Sequence, residues 1–434
     1  MIDRLGMLWH YARARDRFAA RLERVELDAW QEQEVRRHLR RVGAGSRYFQ
    51  ERLKDYGLEH WREWPVSGKR DMMSNFERWN TAGVRLEEAM VVAEEAERTR
   101  DFSRTLRGLT VGLSSGTTGS RGIFLASPAE RRLWAGMLLA RVLQGTLLQE
   151  HRAALFLRAD SPLYQTVGSR RFHFSFFDLY TPLENHLARL RELRPTVLAA
   201  PPSVLRRIAE STEATSLLSP PGILLSVADV LDERDRDRIE AGFGCVPGQI
   251  YQATEGFLAA TCPQGRLHWN EDVVVVQKEW LDVERTRYTP VLTDFRRLTQ
   301  PIVRYRLDDV ILRDNAPPCL CGSSFETLGG IEGRCDDVLR LPRSEGEGEV
   351  TIFPDFVRRA IVLGVPAGID YGVVQTSPDI WEISLSGACG LEGVQSRVEE
   401  LCRDLGARVP TLVRVDWVRP AGAHKRRRVR RNFT

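Results

Sequence analysis

The sequence has no apolar run that approaches the roughly 18 residues needed to span a membrane. Its first 17 residues carry charges throughout and lack the apolar core of a signal peptide. Only seven cysteines occur, an odd number that argues against a disulfide framework in the absence of an export signal. Strong net charge is absent too, since 63 basic residues oppose 59 acidic ones. We therefore expect a cytoplasmic globular protein with no membrane span and no nucleic-acid partner.

Length and composition predict two domains. A chain of 434 residues is too long for one ordinary hydrophobic core, and a hydrophobic content of 42% is typical of globular proteins. From Leu8 to about Arg40, apolar positions recur at helical spacing among arginines. Because Glu and Asp interleave with these arginines, we interpret the segment as solvated helices rather than a nucleic-acid arm. Residues 1–100 are predicted to be mostly helical.

A loop of glycine and hydroxyl residues follows a predicted strand at Leu109–Leu113. A helix follows it, with Ser127 as N-cap and Glu130 completing a capping box. Such a loop can wrap a phosphate, because glycines let backbone amides approach and hydroxyls add donors. Five residues separate Gly116 from Gly122, so the spacing is not that of a Walker A loop. A flexible surface loop is the alternative. The predicted phosphate-binding residues are Ser114, Ser115, Gly116, Thr117, Thr118, Gly119, Arg121 and Gly122.

Strand-like and helical segments alternate from Leu109 to Tyr251, which predicts parallel strands covered by helices. In such sheets ligands bind at the carboxyl ends of the strands, where we expect the glycine loop. The aromatic run Phe172–Phe177 is predicted on an edge strand, lining either a ligand pocket or the sheet core. The predicted strands are Leu109–Leu113, Ala153–Leu157, Thr196–Ala200, Ile223–Val227 and Gln249–Tyr251, and the predicted helices are Ala129–Leu148, Leu183–Leu193, Val204–Ser211 and Glu233–Ala241.

A second motif ends the last of these strands, with Tyr251 followed by Thr254 and Glu255. A carboxylate suits a hard cation that bridges phosphates, and a hydroxyl can donate to phosphate. An ordinary strand end with an exposed Glu is the alternative.

These stretches resemble, in order, motifs of the adenylate-forming superfamily, and most closely its phenylacetate-CoA ligase and coenzyme F synthetase-like branch. The glycine loop is similar to Ser-Gly-Thr-Thr-Gly-x-Pro-Lys-Gly, with Ser120 for Pro and Arg121 for Lys. The second motif resembles Tyr-Gly-x-Thr-Glu, with Gln252 for Gly. Residues 301–309 resemble Pro-x-x-Arg-Tyr-x-Thr-Gly-Asp, with Leu307 and Asp308 replacing Thr-Gly. Residues 65–69 match a Leu-Pro-x-x-x-Lys step weakly.

The resemblance implies roles for single residues in a nucleotide site. In the family, the Tyr stacks near adenine, the Thr contacts the α-phosphate, the Glu helps hold Mg²⁺, and the final Asp bonds the ribose hydroxyls. An Arg after the hinge glycine contacts the nucleotide. By position these residues are Tyr251, Thr254, Glu255, Asp309 and Arg334, and a register that uses Asp308 is the alternative to Asp309. An aromatic segment lines the acyl pocket, here Phe174, Phe176 and Phe177.

The same resemblance implies an α/β fold with mixed and parallel sheets in a large N-terminal domain, residues 1–332. Residues 330–337 resemble the Gly-Arg-x-Asp-Asp hinge, in which Gly333 and Asp336 would let the next domain swing. Residues 338–434 form the small, mobile α+β C-terminal domain of this interpretation. Its predicted strands are Gly372–Gln375, Ile380–Leu385 and Leu412–Val418, and its predicted helices are Ile352–Leu363 and Leu391–Leu405.

The basic terminus contains Lys425, the only lysine of the last hundred residues. It resembles the family's Gly-x-x-Lys-x-x-Arg-Val loop, whose Lys reaches the carboxylate and the α-phosphate during adenylation. An ammonium group that bridges two anions would stabilise the negative charge of the transition state. A disordered basic tail that touches RNA or a membrane surface is the alternative.

Four cysteine and histidine residues predict a structural Zn²⁺ site, because their ligand chemistry suits the ion and the equivalent segments of the related ligase branch often carry such a site. Cys262 and His268 stand in Cys-x5-His spacing, and Cys319 and Cys321 form a Cys-x-Cys pair. Three thiols and one imidazole are a complete tetrahedral ligand set. Two unrelated loops with buried thiols are the alternative.

The resemblance therefore implies an ATP- and Mg²⁺-dependent ligase. A small-molecule carboxylic acid, either aryl or apolar and of medium length, would react with ATP to form an acyl-AMP. The acyl group would then be transferred to a thiol of CoA or of a carrier protein. Three alternatives stay open: an adenylyltransferase of the coenzyme F synthetase type, a non-catalytic protein with the ligase fold, and a nucleic-acid binder acting through the basic terminus. The oligomeric state is not predicted.

Overall fold

The computed structural model describes residues 2–114, 122–143, 147, 149–168, 171–210, 217, 222–366, 369–418 and 428–433. The first hundred residues are mainly helical, as predicted. One side of the second helix, with Val35, Leu39 and Val42, is fully buried in the largest hydrophobic core. The helices are α1 (Ile2–Ala19), α2 (Arg24–Gly45), α3 (Arg47–Tyr56), α4 (Lys69–Ser74), α5 (Phe76–Trp79) and α6 (Leu86–Thr99).

A three-stranded antiparallel sheet comes next, made of β1 (Thr105–Leu106), β2 (Leu109–Leu113) and β3 (Ile123–Ala126). The prediction that Leu109–Leu113 belongs to the parallel sheet is wrong, because β2 pairs antiparallel with both β1 and β3. The glycine loop therefore connects β2 to β3. Helix α7 (Pro128–Val142) follows at once, and its predicted capping box is confirmed, with Glu130 N–H donating to Ser127 Oγ. The helix ends at Val142, six residues before the predicted end at Leu148.

A 12-stranded sheet forms the centre of the large domain. Its order is β11-β12-β14-β15-β10-β9-β8-β7-β6-β4-β5, and β13 pairs with β12. The strands are β4 (His151–Leu157), β5 (Phe172–Asp178), β6 (Val197–Ala200), β7 (Ile223–Ser226), β8 (Gly248–Ala253), β9 (Gly256–Thr261), β10 (Leu267–Trp269), β11 (Val274–Trp280), β12 (Arg287–Asp294), β13 (Ile302–Arg306), β14 (Asp309–Arg313) and β15 (Thr327–Arg334).

The half of this sheet from β8 to β5 is parallel, which confirms the parallel arrangement predicted for four of the five strand segments. Strand β5 lies at the sheet edge, also as predicted. Every residue of β6 is buried, which explains why its sequence is apolar without alternation. The helices in this half are α8 (Pro162–Gln165), α9 (Leu183–Leu193), α10 (Pro202–Ala209) and α11 (Glu233–Phe243).

A smaller unit with its own hydrophobic core follows a 3₁₀ turn at Cys335–Asp337. Strands β16 (Leu339–Pro342) and β17 (Glu349–Ile352) form a hairpin. A four-stranded sheet has the order β20-β19-β18-β21, made of β18 (Tyr371–Ser377), β19 (Ile380–Leu385), β20 (Thr411–Val415) and β21 (Val429–Arg431). Two helices complete the unit, α12 (Pro354–Gly364) and α13 (Glu392–Leu405). The predicted α/β fold class, a large N-terminal and a small C-terminal domain, is confirmed.

Within the described residues, no helix combines the length and the apolar character that crossing a bilayer requires.

Candidate active site

A cavity of about 590 Å³ lies at the carboxyl ends of the parallel strands. It extends from the segments after β4 and β7 to the small C-terminal unit. The second motif enters it through Tyr251, Thr254 and Glu255. Because this edge of a parallel sheet is where α/β proteins bind ligands, it is the candidate active site.

The two ends of the glycine loop meet at this cavity. Ser114 N–H donates to Gly122 O at 2.7 Å, and Gly122 N–H donates to Ser114 Oγ at 2.7 Å. The hydroxyl of Ser114 therefore closes the base of the loop. The loop residues predicted to bind phosphate between these ends, Ser115, Gly116, Thr117, Thr118, Gly119 and Arg121, lie outside the described residues.

Lys69 enters the cavity from the N-terminal helices, and the sequence analysis gave it no role. Ser67 just before it forms a parallel bridge with β13 through backbone hydrogen bonds of 2.9 and 2.8 Å, which fixes the start of α4. A Cβ atom at Gly122 would lie 3.0 Å from Lys69 Cε, so the lysine side chain packs against Gly122, where the glycine loop ends. Burial lowers the pKa of Lys69, while the negative charge of Glu255 acts in the opposite direction.

Tyr251, Asp309 and Arg334 form a second polar part of the cavity lining. The Tyr251 hydroxyl donates to Asp309 Oδ2 at 2.5 Å, and burial, reinforced by Asp309, raises the pKa of that phenol well above its usual value. Arg334 Nη2 donates to Asp308 Oδ2 at 3.2 Å, and its Nε lies 4.0 Å from Asp309 Oδ1. Both aspartates that the sequence left as alternatives line the cavity, and Asp309 is the one held by Tyr251.

Thr254 and Glu255 face the cavity from the turn between β8 and β9. Thr254 Oγ1 donates to Glu255 Oε2 at 2.9 Å, and the guanidinium of Arg297 donates to Thr254 O. Tyr305 also lines the cavity, where burial raises the pKa of its phenol and the negative charge of Glu255 raises it further. No sequence motif predicts a role for Arg297, because its position beside Thr254 depends on the tertiary fold.

Glu130, at the start of α7, indirectly stabilises the turn that carries Thr254 and Glu255. Glu130 Oε1 accepts from the N–H groups of Leu298 and Thr299, both at 2.8 Å. The carboxylate that caps α7 therefore also holds the segment beyond β12, which carries Arg297.

The apolar part of the cavity is bounded by Trp134, Tyr164 and Phe174. Tyr164 packs edge-to-face on Trp134 with ring centroids 5.5 Å apart and lies nearly parallel to Phe174 at 6.2 Å. Phe177 lies on the opposite face of the sheet, where it stacks on Phe156 at 4.7 Å, because residues an odd number apart in a strand, here three, point to opposite faces. Phe176 does not line the cavity in the described structure, so of the predicted pocket residues Phe174 alone borders it.

The predicted hinge lies where β15 leaves the large sheet. Gly333 has φ +151°, a conformation that side chains rarely adopt, and Arg334 N–H donates to Asp337 Oδ2 at 3.0 Å. Asp336 is in the 3₁₀ turn, and its side chain lies outside what the structure describes. Lys425 also lies outside the described residues, which resume at Arg428.

Arg428 connects the small unit to the large domain. Its guanidinium donates to Asp232 and, at 2.9 Å, to Asp235 Oδ2, and its Nε lies 3.6 Å from Asp370 Oδ1. Arg206 Nη2 donates to Asp370 Oδ2 at 3.1 Å and lies near Asp235. Two guanidinium groups and three carboxylates thus form a largely buried network between the domains.

The four predicted metal ligands converge. One ligand atom from each of Cys262, His268, Cys319 and Cys321 lies within 4.8 Å of the others. Cys262 Sγ and Cys319 Sγ are 3.6 Å apart, near the roughly 3.8 Å expected for two sulfurs of a tetrahedral zinc site. His268 Nδ1 lies 2.8 Å from Phe325 O, which leaves Nε2 facing Cys321 Sγ at 3.5 Å.

Two tight turns present these thiols. The carbonyl of Cys262 accepts from Gly265 N–H at 2.9 Å, and that of Cys319 from Gly322 N–H at 3.0 Å. Both glycines have φ near +79°, which favours glycine over other residues.

No protein-family model matches the chain. Protein CapK of Staphylococcus aureus is 26% identical over 206 residues, which cover 46% of this chain and 43% of that protein. The match thus spans less than half the length of this curated relative.

Solved structures match most of the chain. A 2-hydroxyisobutyryl-CoA ligase in its postadenylation state superposes with a TM-score of 0.67 and 17% identity, covering 95% of this chain and 91% of that one. The same ligase in its thioesterification state gives a TM-score of 0.54 at 18% identity, covering 95% of this chain and 91% of that one. The amide bond synthetase McbA of Marinactinospora thermotolerans gives 0.52 at 14% identity, over 74% of this chain and 68% of that one.

The chain therefore has the fold of the adenylate-forming superfamily. The phenylacetate-CoA ligase-like branch stays a prediction from the sequence motifs, since these matches are to several kinds of ligase.

Proposed function

We propose that this protein activates a carboxylic acid with ATP to an acyl-adenylate and then transfers the acyl group to a thiol. The observation that carries the proposal is the cavity at the strand ends, where Thr254, Glu255, Asp309, Arg334 and Lys69 converge on the base of the glycine loop. Each group suits one part of a Mg·ATP complex, and together they neutralise a polyphosphate. The fold shared with acyl-CoA ligases and an amide bond synthetase supports this assignment.

In the first step, a carboxylate oxygen of the acid attacks the α-phosphorus, and the bond from that phosphorus to the bridging oxygen of pyrophosphate breaks. Thr254 would donate to the α-phosphate, and Lys69 would contact the phosphate chain beside the loop. Glu255 is the carboxylate suited to Mg²⁺, which when bound screens the phosphate charge. Asp309, oriented by Tyr251, would accept from the ribose hydroxyls.

Lys425 would complete this step by bridging the carboxylate and the α-phosphate. The Arg428 network supports the assignment, because it attaches the strand that directly follows the Lys425 segment to the edge of the cavity. In the second step a thiolate attacks the acyl carbon and AMP leaves. We propose that movement about Gly333 separates the two steps, with CoA or a carrier protein as the thiol donor.

We also propose that Cys262, His268, Cys319 and Cys321 hold a structural Zn²⁺. The ligand chemistry, the sulfur spacing and the oriented histidine fit this ion. All four positions of a tetrahedral site would be filled by the protein, and the cluster has no residue in common with the cavity lining, so the role is structural.

The test is ATP–pyrophosphate exchange by purified protein across aryl, branched and linear acids, with and without Mg²⁺. Acid-dependent exchange, absent from a Glu255→Gln variant that keeps its melting temperature, would support the proposal. The acid that exchanges is then supplied with CoA, and free AMP plus a thioester is the expected product. A stable adenylylated compound would instead identify an adenylyltransferase, and no exchange with any acid despite ATP binding would contradict the ligase proposal.

A further inference from the structure

Gln252 occupies a position in the cavity wall where the family pattern has glycine. The register of β8 with β9 shifts here, because Tyr251 pairs with Ala259 and Gln252 with Phe257, which leaves Leu258 of β9 as an extra residue. The Gln252 side chain meets α7, where Trp134 Nε1 donates to its Oε1 at 3.1 Å. Both residues line the cavity.

The indole fixes which end of the amide faces the cavity. An indole N–H can only donate, so the oxygen of Gln252 must face Trp134. Its Nε2 group is then turned away from the tryptophan with two hydrogens to donate. Within the described part of the chain, the indole is the one side-chain hydrogen-bond partner of this amide.

Tyr164 adds a second polar group to the same wall. The ring is enclosed between Trp134 and Phe174, and burial raises the pKa of its phenol to about 12, so the hydroxyl stays protonated. A tyrosine in such surroundings usually finds a partner for its hydroxyl. The surrounding wall, including Met137, Leu138 and Val167, is apolar.

We propose that Gln252, oriented by Trp134, is a specificity-determining residue that selects acids carrying an oxygen acceptor close to the carboxylate. This inference rests on the proposed function for the placement of the carboxylate beside Thr254. Gln252 and Thr254 both line the cavity and are only two residues apart, so the amide lies close enough to the carboxylate to reach a substituent one or two carbons from the carboxyl carbon. The substrate class is therefore 2-hydroxy, 2-oxo or ortho-oxygenated aryl acids with an apolar body.

When an acid without this acceptor binds, it buries the Nε2 donor of Gln252 without a hydrogen-bond partner. The binding free energy is then less favourable by the desolvation penalty of that donor. We expect a preference of about 10- to 100-fold for the acceptor-bearing acid. Size-matched pairs isolate this effect because a methyl group replaces the hydroxyl. Suitable pairs are 2-hydroxyisobutyrate with pivalate, mandelate with 2-phenylpropionate, and salicylate with 2-methylbenzoate.

The experiment measures the preference within each pair in two ways, by kcat/KM for pyrophosphate exchange and by Kd from calorimetry. The proteins are the full chain, Gln252→Leu, Gln252→Glu, Trp134→Phe and, as a matched control outside the cavity lining, Gln395→Leu. We expect the preference in at least one pair to be lost in both Gln252 variants, since neither side chain can donate, and to be reduced in Trp134→Phe. Gln395→Leu should keep it.

A preference that survives Gln252→Leu and Gln252→Glu, or a wild-type protein that favours the methyl acid in every pair, would overturn the inference. If Gln252→Leu does not fold, the preferences measured for Gln252→Glu and Trp134→Phe are sufficient to test the inference. The binding measurement separates this question from the ligase proposal. Hydroxy acids that bind better through Gln252 without any exchange would support the subsite and contradict the ligase function.

Discussion

Arg428 Nη2 lies 2.9 Å from Asp235 Oδ2, so a guanidinium of the small domain is paired with a carboxylate of the large domain. Asp235 is buried. Asp232 accepts a hydrogen bond from the same guanidinium, and Asp370 Oδ1 lies 3.6 Å from its Nε. Breaking one member of such a network leaves a charge buried without its partner. Since Arg428 follows the Lys425 segment directly, this pair would connect the position of the small domain with the adenylation step that we propose.

We predict that Arg428→Ala slows pyrophosphate exchange about 10- to 100-fold, because the Lys425 segment loses its attachment to the large domain. Thioester formation from a supplied acyl-adenylate should fall much less, since it does not need this attachment. Rapid-quench assays of the two half-reactions measure the difference. Arg430→Ala, at an exposed position two residues on, is the control. Equal losses in both half-reactions would contradict the prediction.

A second prediction concerns Lys69, whose side chain packs against Gly122 and whose pKa is lowered by burial, an effect that the negative charge of Glu255 opposes. Lys69→Ala should raise the KM for ATP and lower kcat/KM by roughly 100-fold, as loss of a cation at a phosphate site does. Lys54→Ala is a matched control, since Lys54 is exposed on α3. Unchanged ATP kinetics in Lys69→Ala would remove this residue from the site.

The metal cluster gives a third prediction. Purified protein should contain about one zinc per chain, and Cys319→Ser should lose it and melt on the order of 10 °C lower. Cys389→Ser, whose thiol is outside the cluster, should keep both the metal and the melting temperature. Elemental analysis and thermal unfolding measure these effects. A Cys319→Ser protein with unchanged metal content would contradict the zinc assignment.

A fourth prediction uses the pKa of Asp294, which burial raises from 3.8 to about 6. A carboxyl group with a raised pKa in the folded state favours folding below pH 3.8, and this contribution is lost as pH rises through 6. The loss amounts to at most about 3 kcal/mol. Asp294→Asn keeps an oxygen for the N–H groups of Arg296 and Arg297 but does not ionise.

The melting temperature of Asp294→Asn relative to wild type should therefore increase between pH 4 and pH 7. Asp237→Asn, at an exposed position on α11, is the control and should show no such trend. A constant difference across this range would show that the Asp294 carboxyl does not titrate there.

Local sequence was sufficient for features that depend on neighbouring residues. The capping box of Ser127 and Glu130 requires only residues three apart, and the parallel strands follow from short apolar runs between helices. The same apolar pattern could not distinguish β2 from a parallel strand, because pairing depends on the partner and not on the strand itself. Alternation along β5 places Phe174 and Phe177 on opposite faces, so the family resemblance, which put both in the pocket, was wrong for Phe177.

Long-range contacts account for what the sequence analysis missed. Lys69 reaches the cavity because Ser67 pairs with β13, a strand more than 230 residues away in sequence. The amide of Gln252 accepts a hydrogen bond from Trp134 of α7, a contact that no local spacing reveals. In both cases the available signal was small: a weak motif match for Lys69 and a departure from a family glycine for Gln252.

The central claim is that a carboxylate oxygen attacks the α-phosphorus of ATP. The most direct measurement uses the acid that supports exchange, labelled with ¹⁸O in its carboxyl group, and follows single-turnover thioester formation by mass spectrometry of AMP. Since thiol attack breaks the bond between the acyl carbon and the bridging oxygen, the account predicts AMP that carries one ¹⁸O atom from the acid. Release of unlabelled AMP, or of ADP, would contradict it.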